Sequence, residues 1–334
     1  MTDLDKLILI LRRSTGISQE LAEEVAVLYK DLFKTIDLTA PYQVNRLEIS
    51  ALLKDFDLHD KFTSKLLAVS SATVTAHTAL EAITSTKKLV NDALNIIMPI
   101  NPPVSTNDLI RRTKGVMKTS VNNLTLTAIN DGWTQTQLRK ALTVSEIAIK
   151  RNVAMIARTS VNAVSNHTKA VLYAKNDIVD RVLFSATLDG RTTDICMTLD
   201  GKVYKKARSP ILPLHPNERS QLIPILKGES AEQVINDLLP RPAVEIKSVD
   251  ALEDKGFKTR TGRIRKPSRS DRSPLKGVQS NSLNYESWIR KQPKAYQEEI
   301  IGIKGTKALR EGVKLKDVIG TSPITEQYLQ QALN

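Results

Sequence analysis

The sequence predicts a predominantly helical α+β protein: a helical N-terminal half, then a small α+β module, then a C-terminal helical segment. Three observations predict it. Apolar residues make up 41% of the chain and aromatics only 4%, a balance rich in Ala, Leu and Ile that suits packed helices better than aromatic-rich strands. Apolar positions recur at spacings of three and four through the first 175 residues, the helical period. Near Asp177 the texture changes, with Gly, Pro and β-branched residues and shorter apolar runs, as small sheets require.

Taken in order, Leu21, Val25, Leu28, Leu32 and Phe33 line one helical face. The stretch from Phe62 to Met98 lacks Gly and Pro and places Leu66, Val69, Thr73, Ala76, Leu80 and Ile83 at helical spacing. Pro99, Pro102 and Pro103 then punctuate the chain. Ser105 or Thr106 can cap the next helix, with Asn107 and Asp108 in its first turn. Gly132 breaks the pattern and Thr134 can cap the segment after it. A further helix is predicted from Val144 to Tyr173, with Ile147, Ile156, Val161, Val164 and Val171 on its apolar face. Strands are predicted at 182–188, 201–204 and 221–226, and a short helix within 227–239. The Ser/Pro/Gly-rich stretch 255–280 reads as irregular and 284–334 as helical. The implied boundaries are 1–103 for an N-terminal helical region, 104–250 for a module of helices then strands, 251–283 for a basic linker and 284–334 for the C-terminal segment.

The chain has a formal net charge of +13. Between Lys255 and Lys276 lie nine basic residues, Lys255, Lys258, Arg260, Arg263, Arg265, Lys266, Arg269, Arg272 and Lys276, against Asp271 alone. Such a +8 block can neutralise phosphates, so non-specific double-stranded DNA is an expected partner. A single cysteine, Cys196, excludes an intrachain disulfide. The apolar run Leu7–Leu11 is too short for a signal peptide or a bilayer span, so no membrane anchor is expected. No phosphate-loop or dinucleotide-binding glycine pattern is present.

The informative blocks are ATLDGRTTDICMTLDGKVY at 186–204 and LPLHPNERSQLIPIL at 212–226. Asp189 and Gly190 form a turn after a strand. Arg191 offers a planar five-donor group to Asp189, Asp194 or Asp200. Asp200 and Gly201 read as a tight turn before the next strand. Pro216 and Asn217 shape a loop that brings His215 back toward this hairpin. The sum is a small knot of turns held by Arg–Asp pairs. Cys196 and His215 have the residue types of a thiolate–imidazole pair, but no third orienting group accompanies them, and no enzyme activity is expected. Tyr285, Trp288 and Tyr296, at i, i+3 and i+11, can share a helical face as a packing anchor.

These blocks resemble the head morphogenesis family typified by protein F of phage Mu. The resemblance is carried by Asp189, Arg191, Thr192, Cys196, Asp200, Gly201 and Lys202, then by His215, Pro216, Asn217 and Arg219. It extends upstream to Arg158, Thr159 and Asn166, and downstream to Tyr285, Trp288, Gln292, Gln297, Gly302 and the KALREG run at 307–312. The resemblance implies a minor head protein of a tailed bacteriophage, associated with the portal vertex and acting in head assembly and DNA packaging or delivery. Its implied partners are the portal and other head proteins, and its implied place is the virion, after assembly in the host cytoplasm. The rival expectation is a non-specific DNA-binding or ejected virion protein working through 255–276. Family members often carry zinc-type cysteines in these blocks. Here Thr193, Glu218 and Ser220 stand at those positions, leaving Cys196 and His215, with Glu218 as an optional third, as weak candidate ligands; three mixed ligands without a fourth make a poor zinc site, so no metal and no cofactor are expected.

Overall fold

The computed structural model of the chain describes residues 3–76, 86–238, 241–243, 278–280 and 282–320. Its architecture is the expected one, predominantly helical with small antiparallel sheets. The chain divides into two compact units. Among the described residues, one is formed mainly by Lys6–Leu172 with Ile211–Glu218, the other mainly by Tyr173–Pro210 and the chain from Arg219 onward. The basic segment 255–276 and residues 321–334 lie outside the described residues, as do Leu80 and Ile83.

The first unit is built from α1 (Asp3–Thr35), α2 (Tyr42–Asp55), α3 (Leu58–Ala76), α4 (Thr86–Leu94), α5 (Thr106–Asn130) and α6 (Gln135–Lys175). A two-stranded ribbon, β1 (Ile97–Met98) with β2 (Val104–Ser105), connects α4 to α5. One apolar core runs through all six helices and takes in Leu21, Leu32, Phe62, Leu94, Met117 and Val153. The α1 stripe Leu21, Val25, Leu28 and Leu32 is buried as its period requires, while Phe33 packs at the core's margin. Three hydroxyls of this unit form a chain: that of Tyr29 meets Ser145 Oγ at 2.8 Å, and Ser120 Oγ meets the same Ser145 at 2.9 Å.

Both anticipated caps form. Ser105 Oγ accepts from the Asp108 N–H while the Asp108 carboxylate accepts from the Ser105 N–H, a reciprocal capping box. Thr134 and Gln137 repeat the device at the start of α6. That cap starts α6 nine residues before the predicted Val144. Ile147 is also not on the buried face, being 45% exposed. The core stripe is Leu138, Leu142, Ile149, Val153 and Ile156, and Ile147 lies off it by nearly half a helical turn.

The second unit centres on a three-stranded antiparallel sheet of order β4-β3-β5, with β3 at Val179–Ser185, β4 at Val203–Lys205 and β5 at Gln221–Leu226. Pro224, opposite Val182, sits in edge strand β5, where a missing N–H is tolerated. Leu183 and Ile225 pack with Val234 and Ile235 of α8 (Ala231–Leu238). A second pair joins β6 (Arg241–Ala243) to β7 (Val278–Ser280). The predicted strand 182–188 therefore starts and ends earlier. It ends at Ser185 because the Asp200 carboxylate takes the Ala186 N–H at 2.7 Å, in place of a neighbouring strand. The predicted strand 201–204 begins at Val203 because Gly201, at φ 81°, is still in the turn.

Between β3 and β4 lies a short helix not foreseen from the sequence, α7 (Asp194–Leu199). The predicted C-terminal helical segment appears as α9 (Tyr285–Arg290), α10 (Lys294–Arg310) and α11 (Leu315–Ile319). Gly302, at φ 75° and ψ 166°, interrupts α10. Tyr285 and Trp288 lie on α9 and Tyr296 on α10, so the three aromatics do not share one helix. Pro293 restarts the chain between them. They meet nonetheless, edge to face, with ring centroids 4.9 Å apart for Tyr285–Trp288 and 6.2 Å for Trp288–Tyr296.

Candidate functional site

In the second unit the motif residues converge on one buried carboxylate. Asp189 follows β3 and receives a bidentate fork from Arg219, Nη1 to Oδ2 at 2.7 Å and Nη2 to Oδ1 at 2.8 Å. Paired N–H donors in this geometry form a strong, directional contact. The Arg191 backbone N–H donates to Oδ1 at 2.9 Å, and its guanidinium reaches Oδ2 from Nε and Nη2 at 3.3 Å each. Burial alone would push the Asp189 carboxyl up. The hydrogen bonds and charge of Arg219, with the charge of Arg191, overcome this and hold it below the ordinary carboxylate value.

The expected Arg–Asp knot is thus present, but its principal arginine is Arg219, not Arg191. The Arg191 side chain is 39% exposed against 5% for Asp189, so it closes the clamp from the solvent side. Of the other two acids considered for Arg191, Asp200 gives Oδ1 to the Ala186 N–H. Asp194, at the start of α7, has its carboxyl raised by burial. Thr192 donates its hydroxyl to the Thr187 carbonyl and so closes the same turn.

The C-terminal helices grip this loop directly. The Tyr285 hydroxyl donates to the Asp189 carbonyl at 2.8 Å, and the Gly190 N–H donates to the Tyr296 hydroxyl at 3.1 Å. A Cβ at Gly190 would stand 3.1 Å from that hydroxyl and 3.2 Å from Ile300 Cγ1, which is why the turn carries glycine. At Gly201 a Cβ would lie 2.9 Å from Asn284 Cβ. The rest of the block is internal bracing. Gln297 donates to the Ile289 carbonyl at 2.8 Å and accepts from Arg310 at 2.8 Å. Arg290 donates to the Val313 carbonyl at 2.7 Å and pairs with Glu286 at 2.7 Å.

His215, Pro216 and Asn217 belong to the first unit, where they are fastened to α6. Asn217 adopts φ 60°, a left-handed conformation that Asn tolerates better than most residues. Its N–H donates to Thr159 Oγ1 at 2.9 Å, and its side-chain carbonyl accepts from Arg158 Nε at 2.8 Å. Thr159 in turn donates to the Met155 carbonyl at 2.9 Å. His215 Nε2 lies 3.1 Å from Glu218 Oε2, and Nδ1 lies 2.8 Å from the Pro216 carbonyl. Cys196 is buried in α7 of the second unit. None of the nine basic positions from Lys255 to Lys276 falls within the described residues.

Asn217→Ala should cost about 1–2 kcal/mol, because it loses the Arg158 acceptor and strains the backbone. Asn217→Gly should recover part of this by relieving the backbone alone. Urea unfolding of the two variants checks the ordering; an alanine variant as stable as the parent would show that the loop is not held this way.

Residues 119–221 match the family described as Phage Mu protein F like protein, which bears out the resemblance read from the sequence over that span. The match takes in the second half of α5, all of α6 and the chain up to the first residue of β5, and stops before α9. Comparison with curated proteins and with solved structures returns no match.

Proposed function

We propose, from that match, that the chain is a minor head protein of a tailed bacteriophage, associated with the portal vertex and acting in head assembly and DNA packaging or delivery. One observation supports a structural role for the motif residues: they are used as scaffold. Arg158 and Thr159 hold Asn217, while Asp189 is held by Arg219 and its loop by Tyr285 and Tyr296. Residues far apart in sequence thus specify two rigid turns. Such turns suit an assembly component that must present a fixed surface to its neighbours.

The reading includes no catalysis, no cofactor and no metal. Elemental analysis of the purified chain is the check on metal, and one zinc per chain, lost in Cys196→Ala, would contradict it. The portal association is tested by co-purification from infected cells. A head component travels with the portal in assembling particles; a free DNA-binder stays in the lysate on nucleic acid.

The +8 segment at 255–276 favours a second reading, a DNA-binding or ejected virion protein. Its cations are interleaved with Ser, Gly, Pro and Thr, and Phe257 is its only aromatic, a composition without base readout. With about six to eight phosphate contacts, the log–log salt dependence of duplex binding should have a slope of about −5 to −7. Replacing Arg260, Arg263, Arg265 and Lys266 by Ser should flatten it by about 3 to 4. Fluorescence titrations on two unrelated duplexes measure this; a strong preference for one duplex or an unchanged slope would count against it.

A further inference from the structure

The helical hairpin of α5 and α6 carries a concentration of charge separate from the 255–276 segment. Residues 106–172 hold ten Lys and Arg against three Asp and Glu, a net +7, whereas residues 1–105 hold eleven against thirteen. Two of the three acids are committed locally: Asp108 to the Ser105 cap and Arg111, and Glu146 to Lys150. The third, Asp131, lies in the turn that ends α5. Arg112, Lys118, Lys140 and Arg151 are exposed and form no ion pair with the described residues.

Aliphatic side chains stand among these cations. On α6, Lys140, Val144, Ile147 and Arg151 fall at i, i+4, i+7 and i+11, one outward stripe. Val144 is 69% exposed. On α5, Arg112 and Val116 are spaced i and i+4, and Val116 is 54% exposed. The Ser120–Ser145 hydroxyl contact at 2.9 Å brings the two helices together at one point. Each helix of the hairpin therefore carries exposed positive charge beside exposed aliphatic groups at helical spacing, most continuously on the α6 stripe.

We propose that this face docks an acidic, aliphatic helical segment of another protein. The positive excess selects an acidic partner, and Val116, Val144 and Ile147 gain only if that partner buries them. Nucleic acid would answer the charge alone and leave the aliphatic groups against phosphate. A helix laid along the hairpin satisfies both. The inference goes beyond the head-protein reading and does not depend on it, because it concerns the hairpin's own chemistry.

The test uses the full chain with Arg260, Arg263, Arg265 and Lys266 replaced by Ser, which halves the net charge of the other basic segment. The probe is a fluorescein-labelled peptide with Glu on one helical face and Leu at i, i+3, i+4 and i+7 on the other, measured by anisotropy at about 0.1 M salt. A scrambled peptide of the same composition and a short DNA duplex are the comparators. The amphipathic peptide should bind about tenfold or more tighter than the scrambled one. Arg112→Glu with Arg151→Glu, and separately Val144→Ser with Ile147→Ser, should each weaken it about tenfold while the circular-dichroism melting curve is retained. Equal binding of the two peptides, or no binding of either, would overturn the proposal, as would double variants that bind like the parent. Loss of duplex binding alone in the Arg112→Glu, Arg151→Glu variant would assign the face to nucleic acid instead.

Discussion

Asp189→Ala should destabilise the unit built on β3, β4 and β5 by about 3 kcal/mol, the lower end for breaking a buried ion pair. The lower end applies because the Arg219 side chain, 23% exposed, retains some contact with water when its partner is lost. The pH dependence has a definite sign. The folded carboxyl titrates below the ordinary value of 3.8, so its stabilising contribution is fully present above that value. It is lost as pH falls through the folded value. The parent should therefore lose stability in acid more steeply than Asp189→Ala over that window. The chain has two tryptophans, Trp133 and Trp288, the first packed against the helical core and the second in the C-terminal cluster. Urea unfolding followed by Trp288 fluorescence in a Trp133→Phe background isolates the unit concerned. Identical midpoints for the parent and Asp189→Ala at neutral pH would rule out the clamp.

Trp288→Ala should cost about 3–5 kcal/mol in the same unit, as large aromatic deletions from a packed core do. Trp288 is almost wholly buried, with Tyr285 and Tyr296 on it and Leu188, Ile289 and Leu309 in the same cluster. Its loss frees the two tyrosines whose hydroxyls hold Asp189 and Gly190, so the damage should reach the motif loop. Tyr285→Phe, which keeps the ring and deletes the bond to the Asp189 carbonyl, should cost only about 1–2 kcal/mol. In Trp288→Ala, Trp133 fluorescence then reports the helical unit, whose unfolding midpoint should be unchanged. Equal shifts of the circular-dichroism unfolding transition in Trp288→Ala and Tyr285→Phe would contradict this ranking.

Local signals in the sequence translated well into structure. The α1 stripe, the Ser105–Asp108 box and strand β5 follow from period and capping chemistry within a few residues, and these are properties a short window contains. Helix α7 did not, because its six residues, DICMTL, are too few to display a helical period and include two β-branched side chains. The principal partner of Asp189 was equally hidden. Arg191 is two residues away and Arg219 thirty, and only the fold decides between them. The aromatic trio was legible as a packing anchor but not as hydrogen-bond donors and acceptors to a loop about a hundred residues earlier. The charge on α5 and α6 is visible in the sequence, but it is dispersed over two helices among apolar residues. The compact run at 255–276 is the stronger pattern by spacing alone.

The most direct test of a head-protein role is quantitative mass spectrometry of gradient-purified phage particles set against the infected-cell lysate. A minor head protein is expected in the particles at a low, reproducible ratio to the major capsid protein. Its absence from purified particles, with abundant chain in the lysate, would contradict the role.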